Sequence, residues 1–327
     1  MAYPIEKKLV VAVSSRAVFD LEEANAIFDA KGTEAYRKYQ MERLDETLSK
    51  GVAFPFVSRL LRLNDLYPKQ IPIEVVVLSR NSADVGQRFF RSCKHFGLDI
   101  TRGAFLSGQS PYPYINAFNA SIFLSANRTD VVNAIRAGLP AGLIMPTAAV
   151  DDEGDHELRI AFDFDGVLAD DKSEQVYQEH KNLDLFHRHE TERVDQPHEP
   201  GPLKDLFTKI GYFQKLESQR EINEPGYKPA LRVAIVTARN APSNERVVTT
   251  LNSWGMNAAE LFLMGGIEKR RVLEVLKPHI FFDDQLIHLE LAAPAVPSVL
   301  VPFGVTNIDL RSSASPDEGS NSKGNSK

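Results

Sequence analysis

Short apolar segments alternate with amphipathic helical stretches along this chain, and this alternation limits the fold more than any other feature. The apolar segments read KLVVAVSS, IEVVVLS, SIFLSA, AGLIM, LRIAFDFD, RVAIVTA, HIFFDD and SVLVPFG. Helical periodicity between them is clearest in SADVGQRFFRSCKHFG and SNERVVTTLNSWG. Nearly continuous apolar strands separated by helices are typical of parallel sheets that helices cover on both faces. We therefore predict an α/β fold whose ligand site lies at the carboxyl ends of the strands.

The composition narrows the classes of partner. The chain has 327 residues, of which 43% are hydrophobic, and a net charge of −6, so nothing favours binding to nucleic acid or to a membrane surface. No apolar segment approaches the length of a membrane span, and the N-terminal apolar run is too short for a signal peptide. The single cysteine, Cys93, excludes disulfides within the chain and fits a reducing compartment. We expect a soluble, cytoplasmic protein that binds a small molecule, and homo-oligomerisation stays open.

The chain also repeats itself. Residues 79–98 align with residues 237–256 at a constant shift of 158, and the first strand aligns with LRIAFDFD at a shift of 149. The repeat predicts that the first half is a similar α/β layer, degenerate because it lacks the acids of the second half at its strand ends. Such a half would support the other, as an interface or a regulatory surface. The corresponding residues are Ser14 and Asp163, Arg16 and Asp165, Ser125 and Asp283, and Ala126 and Asp284.

These patterns divide the chain into two domains and a tail. We predict an N-terminal α/β domain over residues 1–150 and a catalytic domain over residues 151–310, with a polar seam between them. Within the second domain, residues 170–230 are polar and mostly helical, and they are long for a crossover, so we expect a helical cap there. Residues 311–327 almost lack apolar side chains and are predicted to be disordered.

Residues able to do chemistry follow three of the predicted strands. Asp163 and Asp165 end the segment LRIAFDFD, and Gly166 lets the chain turn sharply after it. A strand-end hydroxyl can donate to an anionic oxygen, and a lysine near a helix start can act as a point charge for a phosphate. The other members of this set are Thr237 in VTARN, Lys269 in GGIEKRR, and Asp283 and Asp284 in IFFDDQ.

Four carboxylates in one pocket would repel each other strongly unless a cation lies among them. Hard oxygen ligands of this kind suit Mg²⁺, which shares its coordination shell with a substrate phosphate. Beside such an ion one carboxylate can attack phosphorus, while a second protonates the leaving oxygen and then deprotonates the hydrolytic water. Lysine, threonine and the metal neutralise the charge on the transferring group. The residues therefore predict Mg²⁺-dependent phosphoryl transfer.

The order of these motifs, DxDxV, a strand-end Thr, Lys and then DD, resembles the haloacid-dehalogenase-like (HAD-like) superfamily. The resemblance implies a HAD-like Rossmannoid parallel sheet with a helical cap insert, in which Asp163 is the nucleophile and Asp165 the general acid/base. The implied metal ligands are Asp163, the carbonyl of Asp165, and the acidic pair Asp283 and Asp284, of which we favour Asp283 as the direct ligand. The expected phosphate and substrate contacts are Gly166, Thr237, Ala238, Arg239 and Lys269.

A narrower resemblance covers almost the whole chain. It is to the cytosolic 5′-nucleotidase type I family and is carried by the blocks AVSSRAVFDLEEAN, YRKYQ, AFPFVSRLL, SGQSP, GPLKDLF, VTARNA, SWG and PHIFFDDQ. Members of that family hydrolyse nucleoside 5′-monophosphates, AMP prominently, with Mg²⁺. The resemblance implies the same reaction here, through an aspartyl-phosphate. The chain departs from animal members at DFDGV, because they have glycine between the two acids and alanine after them.

Other functions fit the same catalytic residues: a phosphatase that acts on a sugar phosphate, transfer of the phosphoryl group to another alcohol, or a nucleotide-binding sensor without turnover. The complete set of acids, threonine and lysine argues against the sensor. Arg239 is as consistent with a salt bridge as with a substrate contact. For the remaining candidates we favour structural roles: His180, His187 and His189 as a solvated helix face, Phe186 and Tyr212 as packing, and Ser14, Arg16 and Ser79 as strand ends rather than a remnant anion site.

Overall fold

The structure, a computed structural model, describes residues 3–69, 72–256 and 260–313, and within them ten strands form one sheet. The strands are β1 Leu9–Val13, β2 Ile73–Ser79, β3 Arg102–Phe105, β4 Ile122–Ser125, β5 Ala141–Ile144, β6 Leu158–Phe162, β7 Leu231–Thr237, β8 Glu260–Leu263, β9 Ile280–Asp283 and β10 Ser298–Leu300. The helices are α1 Ser15–Val18, α2 Glu22–Glu42, α3 Phe54–Leu66, α4 Gly86–His95, α5 Arg128–Arg136, α6 Lys172–His180, α7 Leu183–Thr191, α8 Lys204–Asn223, α9 Asn244–Ser253, α10 Arg270–Leu276, α11 Leu286–Ala292 and α12 Ile308–Ser313.

The sheet is mostly parallel, which confirms the predicted α/β class. Its strand order is β3-β2-β1-β4-β5-β10-β9-β6-β7-β8. Each half contributes five parallel strands in the same internal order, and the halves join where β5 pairs with β10 in antiparallel fashion. The carboxyl ends of the strands in the first half therefore lie along the same edge of the sheet as the amino ends of the strands in the second half. The sequence did not predict that the two halves share one sheet.

All eight predicted strands are present, and the sequence missed two, β3 and β8. These are the outermost strands of the sheet, and their side chains are mostly half-buried. An edge strand is covered less than a central one, so it does not need a continuous apolar run. The pattern that identified the other strands was therefore too weak at these two places.

Central strands bury side chains on both faces, as the nearly continuous apolar runs require. In β6, Ile160 and Phe162 enter a large apolar cluster that extends through both halves, whereas Ala161 points to a second cluster around α10 and α11. This alternation follows the two-residue period of a strand. Cys93 is buried in the large cluster and is not part of a disulfide. Among the described helices none is long and apolar enough to span a membrane.

The helices cross between the halves in a reciprocal way. α3 of the first half also packs on β6 of the second, and α8 of the second half packs on β1 of the first. Tyr67, just after α3, donates a hydrogen bond of 2.7 Å from its hydroxyl to Glu217 of α8. These contacts tie the halves together away from the β5–β10 pair.

The predicted cap region contains three helices, and only two of them lie over the edge of the sheet. α8 packs on the sheet through Phe207, Ile210 and Phe213, so it belongs to the helical layer. α6 and α7 pack on each other, and α7 also contacts α9. At the other end of the chain α12 ends at Ser313, and the rest of the predicted tail, residues 314–327, lies outside the described residues.

Candidate active site

The strand ends that carry chemistry are neighbours in the sheet. β6 lies between β9 and β7, so Asp163, Asp283 and Thr237 come to the same carboxyl edge. All three are at most 3% exposed. Lys269, which immediately precedes α10, is buried beside them. The structure thus brings together residues that are up to 120 positions apart in the sequence.

Lys269 bridges two carboxylates at the centre of this edge. Its Nζ lies 2.8 Å from Oδ2 of Asp163 and 2.7 Å from Oδ2 of Asp283. The second oxygen of Asp163 accepts a hydrogen bond of 2.7 Å from the backbone N–H of Phe164. His288 of α11 approaches from the other side, and its Nδ1 lies 3.2 Å from Oδ2 of Asp283. One cationic lysine is shared between two buried carboxylates.

Burial and charge set the protonation of these groups. Burial, together with the charges of Asp283 and Asp165, raises the pKa of Asp163 to about 7, and Lys269 only partly offsets this. Burial also raises the pKa of Asp283, but Lys269 and His288 outweigh it, so that its pKa is lower than usual. The Lys269 pKa is raised by both carboxylates despite the opposing effect of burial. Lys269 therefore stays charged, and the site has more negative than positive charge when its carboxylates are ionised.

Asp284 adds a third buried carboxylate. Its Oδ2 accepts a hydrogen bond of 2.9 Å from the Thr306 hydroxyl, whereas its Oδ1 is buried without a hydrogen-bond partner in the described part of the chain. Burial and the charges of Asp283 and Asp163 raise the Asp284 pKa well above its usual value. A Cβ at Gly166 would lie 2.6 Å from Oδ2 of Asp284, and the φ of Gly166 is +70°, so glycine is required for this approach.

These features fit a divalent cation. Asp163, Asp283 and His288 each offer a ligand atom, and these atoms lie within 4.8 Å of one another. The excess of buried carboxylates and the unpartnered oxygen of Asp284 both call for positive charge beyond that of Lys269. Of the predicted ligands, Asp163 and Asp283 belong to this group, and Asp284 adjoins it. His288 was not predicted, because a single histidine five residues after an acid has no recognisable spacing.

The Asp165 carboxylate does not face Lys269. Both of its oxygens accept hydrogen bonds from Arg239, from Nε at 2.7 Å and from Nη2 at 2.6 Å. Arg239 is 4% exposed. Burial lowers its pKa, but Asp165 and Glu190 outweigh this effect and raise the pKa above its usual value, so Arg239 stays charged. Of the two roles considered for Arg239, the structure shows the salt bridge.

A buried anion, Glu190 of α7, completes this network. It accepts from Arg239, from Nη1 of Arg246 at 2.9 Å and from the Ser173 hydroxyl at 2.7 Å, and His198 lies 3.2 Å away. Although burial raises the pKa of Glu190, His198 and Arg239 lower it far below its usual value. The network ties the two helices over the edge, α6 and α7, to the strand end that carries Arg239. Sequence reasoning missed Glu190, Arg246 and His198, since they belong to no motif.

The remaining predicted residues occupy different environments. The Thr237 hydroxyl is fully buried and accepts a hydrogen bond of 3.2 Å from the Arg239 backbone N–H, so its own proton is available to an anion. Ala238 is exposed at the end of β7. Phe164, between Asp163 and Asp165, is buried under His198 and the Arg239 guanidinium, at 5.4 Å in each case. A bulky residue between the acids is thus accommodated by packing beneath Arg239.

The other aromatic and histidine candidates do not line this edge as a group. Phe186 is buried and packs against Arg239, with 5.3 Å from the guanidinium carbon to the ring centre. Tyr212 is exposed on α8. His187 contacts Asn240 and His189 contacts Glu190, and within residues 3–69, 72–256 and 260–313 the three insert histidines form no metal-binding group. Packing and surface roles account for them.

Comparison with known proteins gives the family of this chain. The chain is 35% identical over 288 residues to a human protein named cytosolic 5′-nucleotidase 1B, an alignment that covers 86% of this chain and 47% of the relative. The chain therefore spans about half the length of that relative. No solved structure matches the chain significantly. The family model described as 5′-nucleotidase matches residues 1–308, and the chain therefore belongs to the 5′-nucleotidase family.

Proposed function

We propose that the chain hydrolyses nucleoside 5′-monophosphates to nucleoside and phosphate, with Asp163 as the nucleophile. The observation that carries this proposal is the contact among Asp163, Lys269 and Asp283 at the carboxyl ends of neighbouring strands. There Lys269 and the Thr237 hydroxyl are available for the phosphoryl oxygens, while the Asp163 carboxylate can approach phosphorus. Membership of the 5′-nucleotidase family and the name of the human relative support the substrate class.

The reaction has two balanced steps. In the first, a carboxylate oxygen of Asp163 forms a bond to phosphorus as the bond from phosphorus to the 5′-oxygen breaks, and Asp165 gives that oxygen a proton. In the second, water attacks phosphorus, Asp165 takes a proton from the water, and the bond from Asp163 to phosphorus breaks. Lys269 and Thr237 stabilise the charge on the phosphoryl oxygens in both steps.

Arg239 has a positioning role in this scheme. Its two hydrogen bonds hold the Asp165 carboxylate in one orientation. For Asp165 to donate a proton it must first take one up, and at least one bond to Arg239 must then break. Because Arg239 also binds Glu190 of α7, movement of α6 and α7 on substrate binding is a direct way to release Asp165.

The proposed metal is Mg²⁺, held by Asp163 and Asp283 with support from Asp284. His288 can orient Asp283 through its Nδ1, at 3.2 Å. When bound, the ion would neutralise these carboxylates and polarise the phosphoryl group. The excess of buried carboxylates described above supports this assignment.

Phosphate release from a panel of substrates tests the proposal. The panel comprises AMP, IMP, GMP, CMP, UMP, their deoxy forms and several sugar phosphates, each with and without Mg²⁺. We expect Mg²⁺-dependent release with a clear preference for nucleotides. Equal or faster turnover of sugar phosphates would overturn the substrate while leaving the phosphatase chemistry intact, and no turnover of any compound would favour a nucleotide sensor.

We also propose that the fold is HAD-like and that the first half is a degenerate copy of the second. Identical strand order in the halves supports this, as do constant shifts between equivalent elements: β2, α4, β3 and β4 precede β7, α9, β8 and β9 by 158 residues. We further propose a cytosolic location, which the name of the human relative supports.

A further inference from the structure

We propose that the carboxyl edge of the first half binds a phosphoryl-type anion without a metal ion. The site is formed by Ser14, Arg16 and Gln40, around the ends of β1 and β2, so the proposal reverses the purely structural role that the sequence favoured for Ser14 and Arg16. It is separate from the proposed catalytic site, because the strands of the two halves run in opposite directions and their carboxyl ends lie along opposite edges of the shared sheet.

Equivalent contacts show that the correspondence between the halves includes the segments above the sheet. Arg88 donates from Nε to the carbonyl of Glu46 at 2.9 Å, and Arg246 donates from Nε to the carbonyl of Gln196 at 2.8 Å. Nη1 of Arg88 also donates to Oε1 of Gln40 at 3.0 Å, as Nη1 of Arg246 does to Oε1 of Glu190 at 2.9 Å. Gln40 thus occupies the position of the buried anion Glu190.

At five corresponding positions the first half has neutral or cationic groups in place of carboxylates, whereas Asp130, a buried carboxylate paired with Arg80, stands where the second half has His288. Where the second half has acids that fit a cation, the first has hydroxyls, an amide and a guanidinium, which fit an anion. The replacements are Asp163 by Ser14, Asp165 by Arg16, Glu190 by Gln40, Asp283 by Ser125 and Asp284 by Ala126.

The unpartnered polar atoms at the two carboxyl edges differ in the same way: the second half has an acceptor there and the first half has donors. In the second half, Oδ1 of Asp284 is an unsatisfied acceptor. In the first half, Oγ of Ser14 and Nε of Arg16 are buried and have no hydrogen-bond partner among the described residues, and each can donate. Nε2 of Gln40 is also a buried donor, and the Tyr36 hydroxyl is close enough to accept from it. Buried donors without acceptors are costly, and a ligand with several anionic oxygens would satisfy them.

Neutral side chains surround these donors. The hydroxyls of Ser15 and Ser79 lie 3.1 Å apart, and Asn81 donates to Ser15 at 3.1 Å. The Tyr36 hydroxyl donates to Asn81 at 3.1 Å. These contacts form a hydrogen-bonded polar floor that contains no carboxylate.

The carboxylate nearest Arg16 is on the surface. Glu22 lies 2.7 Å from Nη2 of Arg16, but its side chain is 73% exposed, so the pair compensates little of the guanidinium charge. Arg16 also donates from Nη1 to Asn25 at 3.1 Å. Both interactions leave Nε available.

A large groove reaches Arg16 at this edge, whereas Ser14 and Gln40 are not in its wall. Its volume is about 1410 Å³, and Arg16 and Ala126 are in its wall together with the cations Lys50 and Arg128. Carboxylates also line it, so the groove as a whole is not cationic: Asp20, Glu22, Asp151, Asp152, Asp155 and Glu274. A groove of this size accommodates a phosphorylated small molecule as well as free phosphate.

Equilibrium dialysis of the full-length chain against radiolabelled inorganic phosphate in EDTA tests the proposal. We expect one phosphate to bind per chain without a metal. Ser14→Asp, which introduces a carboxylate at the site, and Arg16→Gln should each weaken binding at least tenfold. Arg91→Gln removes the same charge from an exposed pair with Asp45 and should leave binding unchanged.

The melting temperature of each variant, measured in the same buffer, separates loss of binding from loss of folding. The proposal is overturned if the wild-type chain binds no phosphate in EDTA, or if folded Ser14→Asp and Arg16→Gln bind it as tightly as the wild type. Phosphate is also a product of the proposed hydrolysis, so the comparison of the wild type with Ser14→Asp and Arg16→Gln, which leave the catalytic site unchanged, distinguishes binding at the first-half site from binding at the catalytic site.

Discussion

His279 is a buried histidine whose protonation should destabilise the fold in acid. Its Nδ1 accepts a hydrogen bond of 3.0 Å from the backbone N–H of Arg159, so Nδ1 carries no proton in the folded state. The residue is 6% exposed, and burial together with the cations of Arg59 and Arg159 lowers its pKa to about 3. The bond fixes the start of β9 against the start of β6, and these strands carry Asp283 and Asp163 at their other ends.

The lowered pKa fixes the direction of the effect. The unfolded chain takes up a proton at His279 below the ordinary pKa of 6.5, whereas the folded protein does so only near 3, so acid favours unfolding. The free energy of unfolding is unaffected by this group above about pH 7.5 and is lowered by about 2 kcal/mol at about pH 5, since each pH unit in this window corresponds to about 1.4 kcal/mol. The loss continues to grow until the pH reaches about 3.

Urea unfolding of the wild type and His279→Asn, followed by circular dichroism, measures this contribution. The asparagine amide oxygen can still accept the Arg159 N–H but does not titrate. Between about pH 7.5 and pH 5 the free energy of unfolding of the wild type should fall by about 2 kcal/mol more than that of the variant. His180→Asn, at an exposed position of α6, controls for the loss of an imidazole. A difference that stays constant across this range would refute the reasoning.

Three further predictions concern the active site. Asp163→Asn should reduce phosphate release by about a thousandfold or more while keeping the circular dichroism spectrum, and appreciable residual activity would exclude covalent catalysis at this residue. Asp165→Asn should slow release by about 10²–10⁴-fold; an unchanged rate would contradict the acid/base assignment. Removal of divalent ions by EDTA should stop turnover, and added Mg²⁺ should restore it, whereas chelator-resistant activity would contradict the metal assignment.

A fifth prediction tests the close approach of Gly166 to Asp284. In Gly166→Ala the new Cβ would lie 2.6 Å from Oδ2 of Asp284, and the left-handed backbone alone costs about 1–2 kcal/mol. The melting temperature should fall by up to about 2–4 °C per kcal/mol, and phosphate release should fall as Asp284 is displaced. Wild-type stability and activity would show that the loop relaxes without cost.

The sequence predicted elements whose stability depends on local pattern. Continuous apolar runs identified the eight central strands, because a strand buried on both faces must be apolar at successive positions. β3 and β8 escaped since an edge strand can leave side chains half-buried. The sequence also did not predict that the halves share one sheet, because the pairing of β5 with β10 depends on contacts between residues more than 150 positions apart. No periodicity in the sequence encodes such contacts.

At the active site, residues at strand ends could be predicted and residues above them could not. Parallel strands bring their carboxyl ends to one edge, so Asp163, Thr237 and Asp283 followed from topology alone. The orientation of Asp165 toward Arg239 depends on where α7 places Glu190. That placement is a result of packing, and a glutamate within a polar helix carries no signal of it.

The antiparallel joint between the halves determines how the two proposed sites relate. The groove beside the first-half site also includes Arg159 and His279 in its wall, and these residues lie at the amino ends of β6 and β9. Asp163 and Asp283 lie at the carboxyl ends of the same strands, about 13 Å away at about 3.3 Å per residue. A ligand in the groove and a substrate at the active site therefore contact opposite ends of the same two strands. Coupling between the sites could pass along β6 and β9, across the β5–β10 pair, or through the helices that cross between the halves. The Arg159–His279 hydrogen bond is one contact through which an anion in the groove could act on the strands that end at Asp163 and Asp283.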